Sequence, residues 1–248
     1  MHSNLRVFGI FFILVILSYL PFLFRSAISF VLFAILFFAV FPFLLKLSGL
    51  QGLKSIGLHL HTKWRAFLLL GVGIGVLFNT LVYMVIRSIH EVEMTLPTIQ
   101  DMILIILFAM ATAGFSAFSE EMIFRGYLIK HLSSRIPIYL VTGVVITMFT
   151  LYHLPQWGLP TPYWIRYAVM ALVFTIPLVI TKSLWLSVGL HWGGNMAFYL
   201  LLSEHGFLSV EKSMQMVESI GWVSACAGFI LLIVMYPVSK WMGGRRDV

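Results

Sequence analysis

The chain has 248 residues, of which 60% are hydrophobic and only 10% charged, with a net charge of +7. Soluble domains run near 25% charged, so this composition excludes an ordinary globular protein and describes a polytopic membrane protein. The surplus of lysine and arginine would suggest nucleic acid in a soluble protein; here it lies between apolar runs, where it orients membrane spans, and no nucleic-acid partner is expected.

Apolar runs long enough to cross a hydrocarbon core of ~30 Å occur near residues 7–24, 27–45, 66–86, 102–119, 136–152, 164–181, 183–203 and 220–238. The expected fold is an all-α integral membrane protein of about eight transmembrane helices. The first run reads as a retained helix, because no small-residue cleavage site follows it and a second span comes at once. With an N-terminus inside and eight crossings, the inner segments hold Arg6, Lys46, Lys54, Lys63, Arg65, Arg125, Lys130, Arg135, Lys182, Lys240, Arg245 and Arg246. Arg25, Arg87, Arg166 and Lys212 fall outside. That bias predicts cytoplasmic termini, with the tail from Lys240 to Arg246 anchoring the last helix to the inner leaflet of what reads as a bacterial cytoplasmic membrane.

Between the second and third spans, residues 50–65 are too polar to cross and alternate apolar with basic groups, as an interfacial segment does. His59 and His61 lie two apart there, with no third ligand nearby to make a metal site. In the third span, Gly71-x-x-x-Gly75 would let a neighbouring helix approach closely. Cys226, the only cysteine, excludes an internal disulfide and a cysteine-built zinc site, and its apolar neighbours predict a buried, inert thiol. Glu91 and Glu93 read as surface charge, and Leu154 to Pro162 as a tight loop or a cap.

Three polar patterns interrupt the apolar runs: Glu120-Glu121-x-x-x-Arg125, Phe149-x-x-x-His153 and His191-x-x-x-Asn195. Ionisable groups at membrane depth are costly unless paired or hydrated, so a functional site inside the helix bundle is the default reading. On a helix Glu121 and Arg125 are four apart with the acid first, the favourable order for an ion pair. Glu120 points about 100° away and is left for chemistry. The turn at Ser133 to Pro137 lies midway between Glu120 and His153. Two antiparallel helices leaving it would carry both residues ~24 Å along, to one depth. His191 and Asn195 share one helix face, and Gly189, Gly193 and Gly194 keep that region slim enough for another helix or a substrate backbone.

These residue types suit amide hydrolysis. A carboxylate withdrawn from bulk water can act as general base toward a water molecule, and a histidine beside it can orient that water or shuttle the proton. A second histidine and an asparagine can donate hydrogen bonds to a developing oxyanion. The same set could instead hold zinc, although no His-Glu-x-x-His pattern is present.

The three motifs, in this order on consecutive hydrophobic segments, resemble the CPBP family, which contains the type II CAAX prenyl endopeptidases and the bacterial Abi proteins. The resemblance covers roughly residues 100–200. It implies an intramembrane, glutamate-dependent endopeptidase acting on a hydrophobic or lipidated peptide among membrane lipids. Carried over by position, Glu120 would activate the water and His153 assist it, His191 and Asn195 would form the oxyanion site, and Glu121 and Arg125 would support them. Members have also been described as metalloproteases; a bound divalent metal such as zinc would take its ligands from Glu120, His153 and His191. The resemblance divides one membrane domain into N-terminal helices over 1–99, a CPBP-like core over 100–203, and a last loop, helix and basic tail over 204–248. Two other functions compete: a non-catalytic immunity or regulatory protein on the same scaffold, and a proton-relaying transporter. A transporter would favour inverted repeats and broken helix pairs, which the sequence does not display.

Overall fold

The structure, a computed structural model, describes residues 4–23, 26–90, 97–153, 161–202 and 213–243. Arg25, Glu91, Glu93, Lys212, residues 154–160 of the expected loop or cap, and the Arg245–Arg246 end of the tail lie outside the described residues. Among the described residues there is no strand, as an all-α membrane protein requires.

Each of the eight apolar runs is mainly helical over its described residues. The order is α1 (Asn4–Leu23), α2 (Ala27–Leu47), a 3-10 turn (Leu53–Ile56), α3 (Trp64–Ile89), α4 (Ile99–Glu120), a π-helical segment (Glu121–Leu128), α5 (Ile129–Leu132), α6 (Ile138–Tyr152), α7 (Thr161–Thr181), α8 (Trp185–Leu202) and α9 (Met214–Gly243). α9 (Met214–Gly243) extends beyond the expected 220–238 at both ends. Its first turns are held because Met216 and Ile220 are buried in a cluster with Val82, Tyr83 and Tyr163.

Among the described residues, six helices are long and apolar enough to cross a membrane: α1, α2, α3, the continuous Ile99–Leu132 rod, α7 and α9. The other two of the expected eight fall short for different reasons. α6 has only 15 residues, whereas α8 carries His191, Asn195 and three glycines among its apolar residues. The 34-residue rod is about 50 Å long at ~1.5 Å per residue, against a hydrocarbon core of ~30 Å, so it projects beyond the core or tilts across it.

The segment from 50 to 63 contains no long helix. It docks on the turn that starts α8. Leu184 N–H donates to the Gly57 carbonyl at 3.0 Å. The Trp185 indole donates to the His59 carbonyl at 2.9 Å, and His61 Nε2 lies 3.0 Å from Ser183 Oγ.

α3 and α8 form the closest helix pair. A Cβ added at Gly71 would fall 2.5 Å from the Leu186 carbonyl oxygen and 2.6 Å from Leu190 N. Reciprocally, Cβ atoms at Gly189 and Gly193 would collide with the carbonyls of Leu68 and Val72. Gly71, Gly75, Gly189 and Gly193 therefore let two backbones touch without side chains between them, which favours association in lipid, where water supplies little drive. α9 packs on α7 with Gly221 and Gly228 making room for α7 side chains, since Cβ atoms there would meet Pro162 and Met170. Cys226 corrects an expectation: it is exposed, on the outward side of α9 with Trp222, Phe229, Ile230 and Ile233. Gly221, Ala225 and Gly228 occupy the packed face instead, so apolar neighbours in sequence did not mean burial.

Candidate active site

The π-helical segment Glu121–Leu128 carries the charged centre, and every one of its eight residues is buried. π-helical turns are rare and concentrate at functional sites. Buried on all sides, this one takes Glu121 and Arg125 into a place where water cannot solvate them, so each needs a partner. Arg125 Nη1 lies 3.2 Å from Glu121 Oε1, both side chains being fully buried. The contact is close but poorly aligned, because Nη1 makes no hydrogen bond of good geometry. Arg125 Nη2 donates to the Ala171 carbonyl on α7 at 3.1 Å. The guanidinium also stands over two aromatic rings, 4.2 Å from the centroid of Phe149 and 5.4 Å from that of Phe174. Such cation–π contacts strengthen as water is removed. Phe149 of the Phe-x-x-x-His pattern thus has a structural reason: it supports Arg125.

Glu121 has a second partner that helical spacing did not reveal. His191 Nδ1 lies 2.9 Å from the same Oε1. The imidazole is stacked on Phe174, with centroids 4.4 Å apart and planes 11° apart. With Nδ1–H donated to Glu121, Nε2 is turned toward Glu120 Oε2, 3.8 Å away. That oxygen is buried and makes no hydrogen bond among the described residues.

Glu120, His153, His191 and Asn195 line one cavity of about 620 Å³, within the range of small-ligand sites. Glu120 and His153 reach this cavity from different elements, one from the end of α4 and the other from the C-terminal cap of α6. His153 Nδ1–H donates to the Phe149 carbonyl at 2.8 Å, which assigns Nε2 as the atom left for other work. The ring lies flat on Tyr167, with centroids 3.9 Å and planes 18° apart. Glu121 and Arg125 do not line the cavity; they are sealed behind it.

Aromatic groups the sequence did not single out make up much of the wall: Tyr19, Tyr152, Tyr163, Phe174, Phe198 and Tyr199. Tyr19 and Tyr152 stack with centroids 4.6 Å apart, and the Tyr19 hydroxyl donates to the Tyr152 carbonyl, joining α1 to α6 beside the cavity. Arg166, expected only as an outer-loop charge, also lines the cavity, and its guanidinium stands 4.6 Å from the Phe198 ring centroid. Asn79 on α3 lines it too and is the missed residue with the clearest signal, an amide in the middle of an otherwise apolar span.

The metal expectation does not find its ligands assembled. Among the described residues no three His, Cys, Asp or Glu side chains are grouped to hold an ion. One nitrogen of each histidine is already engaged, His191 Nδ1 by Glu121 and His153 Nδ1 by Phe149. What the side chains do provide is a carboxylate with an unpartnered oxygen, two imidazole nitrogens and an amide, around a space walled by apolar rings.

Nothing among curated proteins or solved structures matches the chain. Residues 102–197 match the family described as type II CAAX prenyl endopeptidase Rce1-like. That interval holds all three motifs and the whole of the charged centre. Over residues 102–197, then, this chain is similar to the CAAX-type membrane proteases.

Proposed function

We propose that the protein is an intramembrane endopeptidase that cuts a membrane-associated, hydrophobic or lipidated peptide with a water activated by Glu120. The observation that carries this reading is Glu120 Oε2, which makes no hydrogen bond among the described residues, in a cavity shared with His153, His191 and Asn195. A water held between Glu120 and His153 Nε2 gives its proton to the carboxylate as its oxygen attacks the scissile carbonyl carbon. The negative charge that forms on the carbonyl oxygen is met by the Asn195 amide and by His191 Nε2. For Nε2 to donate, His191 must carry both protons, a state in which its charge balances the second carboxylate of the Glu120–Glu121 pair. Collapse of the tetrahedral species breaks the C–N bond, and the proton held by Glu120 passes to the leaving amine, directly or through His153. The products are a carboxylate and an amine, and Glu120 is regenerated.

Glu121 and Arg125 work behind this surface. Glu121 fixes the His191 ring through Nδ1, and Arg125 neutralises Glu121. The apolar cavity walls suit an aliphatic or prenylated chain, and the bilayer supplies such substrates at the site. The basic-residue bias supports cytoplasmic termini.

The deciding experiment compares membrane peptides, by mass spectrometry, from cells carrying wild-type protein or Glu120→Gln. A fragment made only by the wild type establishes proteolysis and locates the cut. Identical peptide pools at equal expression would remove the catalytic reading and leave a binding role, such as immunity or regulation, on the same scaffold.

A further inference from the structure

Asn79 lies in α3 in register with Gly71 and Gly75, one turn beyond the point where α3 and α8 touch, and it is only 4% exposed. Its Nδ2 donates to the Gly194 carbonyl at 2.8 Å. A carbonyl oxygen can only accept, so this bond determines how the amide is turned and leaves Oδ1 as the outstanding atom. Oδ1 is buried and has no hydrogen-bond partner among the described residues. The residue lines the cavity together with Gly194 and Asn195. Asn79 belongs to none of the three motifs and lies outside residues 102–197.

A buried acceptor without a partner is as costly as a lost hydrogen bond, and its retention at a cavity wall points to a donor that arrives with the ligand. Packing alone does not call for an amide here, since the same α3–α8 register is served by glycines at 71 and 75. The donor common to peptides is the main-chain N–H, which an extended strand repeats along its length. Asn195, next to Gly194 on α8, offers the complementary N–H groups for a main-chain carbonyl.

Resting on the endopeptidase reading above, we propose that Asn79 is a substrate-positioning residue whose Oδ1 accepts one main-chain N–H of an extended peptide lying along α8. Recognition of this kind ignores the side chain at that position but demands an N–H. A peptide with proline or an N-methyl residue there is therefore rejected.

The test measures binding, so it does not depend on cleavage. A short S-farnesyl-cysteine peptide is titrated into the full-length protein in lipid nanodiscs, in the Glu120→Gln background so that nothing is cut. Each non-scissile amide of the peptide is replaced in turn by an ester, which removes the N–H and keeps the shape. One ester should weaken binding about five- to tenfold, and adding Asn79→Ala should weaken the all-amide peptide to the same extent while abolishing sensitivity to that ester. The ester scan needs no Asn79 variant, so the proposal remains testable if Asn79→Ala does not fold. No ester-sensitive position, equal sensitivity with and without Asn79, or no binding at all would overturn it. Ester sensitivity lost with Asn79, combined with no cleavage of the bound peptide by the wild-type protein, would keep the positioning role and overturn the endopeptidase reading instead.

Discussion

Glu120 and Glu121 are neighbours in the chain with the same functional group, yet one lines the cavity and the other is sealed behind it. Glu120 ends the α-helical part of the rod, is 7% exposed and keeps an unpartnered oxygen; Glu121 opens the π-helical part, is 0% exposed and contacts both Arg125 and His191. A hundred degrees of helix rotation separates a group that can meet a water from one that can only hold other groups in place. The lesson is that the charged centre has two layers with different tasks. The cavity layer is Glu120, His153, His191 and Asn195. The layer behind it, Glu121 and Arg125 braced by Phe149 and Phe174, sets the height and tilt of His191.

Substitutions should separate the two layers. Glu120→Gln removes the base and keeps the shape, so we expect cleavage to fall by a hundred- to ten-thousandfold with the melting temperature in detergent unchanged or raised. A large loss of stability would instead place Glu120 in the supporting layer. Arg125→Ala leaves Glu121 buried without its cation, a change that costs about 3–5 kcal/mol. Thermal unfolding should show that loss directly, and a stable, folded Arg125→Ala would break the division proposed here. Gly75→Val forces a branched side chain into the backbone of α8, where a Cβ alone would already fall 2.5 Å from Gly194 N. It should cost at least about 1–3 kcal/mol and reduce cleavage as well, because Asn79 and Asn195 follow the same contact. Phe149→Leu is the mildest change, removing one cation–π contact worth about 0.5–2 kcal/mol. A drop in stability larger than any drop in cleavage would assign Phe149 to the supporting layer, and the reverse would move it to the cavity.

Much of this organisation was legible beforehand, for reasons specific to lipid. A polar side chain in a hydrocarbon span needs a cause, so Glu120, His153, His191 and Asn195 stood out, and all four line one cavity. Helical spacing identified the Glu121–Arg125 pair, and the Gly71-x-x-x-Gly75 spacing anticipated a close helix contact. The glycines at 189 and 193, expected to admit either a helix or a substrate, turn out to admit α3. Other features were hidden because they join residues far apart in sequence. The His191–Glu121 bond spans 70 positions and the Asn79–Gly194 bond 115. Neither leaves a local period. Aromatic residues carried little information in a chain with 22 phenylalanines, so Phe174 beneath His191 and Tyr167 beneath His153 could not be told from lipid-facing ones. Cys226 failed for the same reason: an apolar neighbourhood does not say which side of a helix faces its partner.

The sequence by itself determined that the chain is a bundle of apolar helices and which of its polar groups lie at membrane depth, because burying charge in hydrocarbon is too costly to happen without purpose. Only the tertiary structure decided which of two adjacent glutamates is available to a ligand, which nitrogen of each histidine is engaged, and that α3 brings an amide to the cavity wall. Those choices depend on helix rotation and on contacts between distant segments, where displacements of a few ångströms separate a hydrogen bond from none.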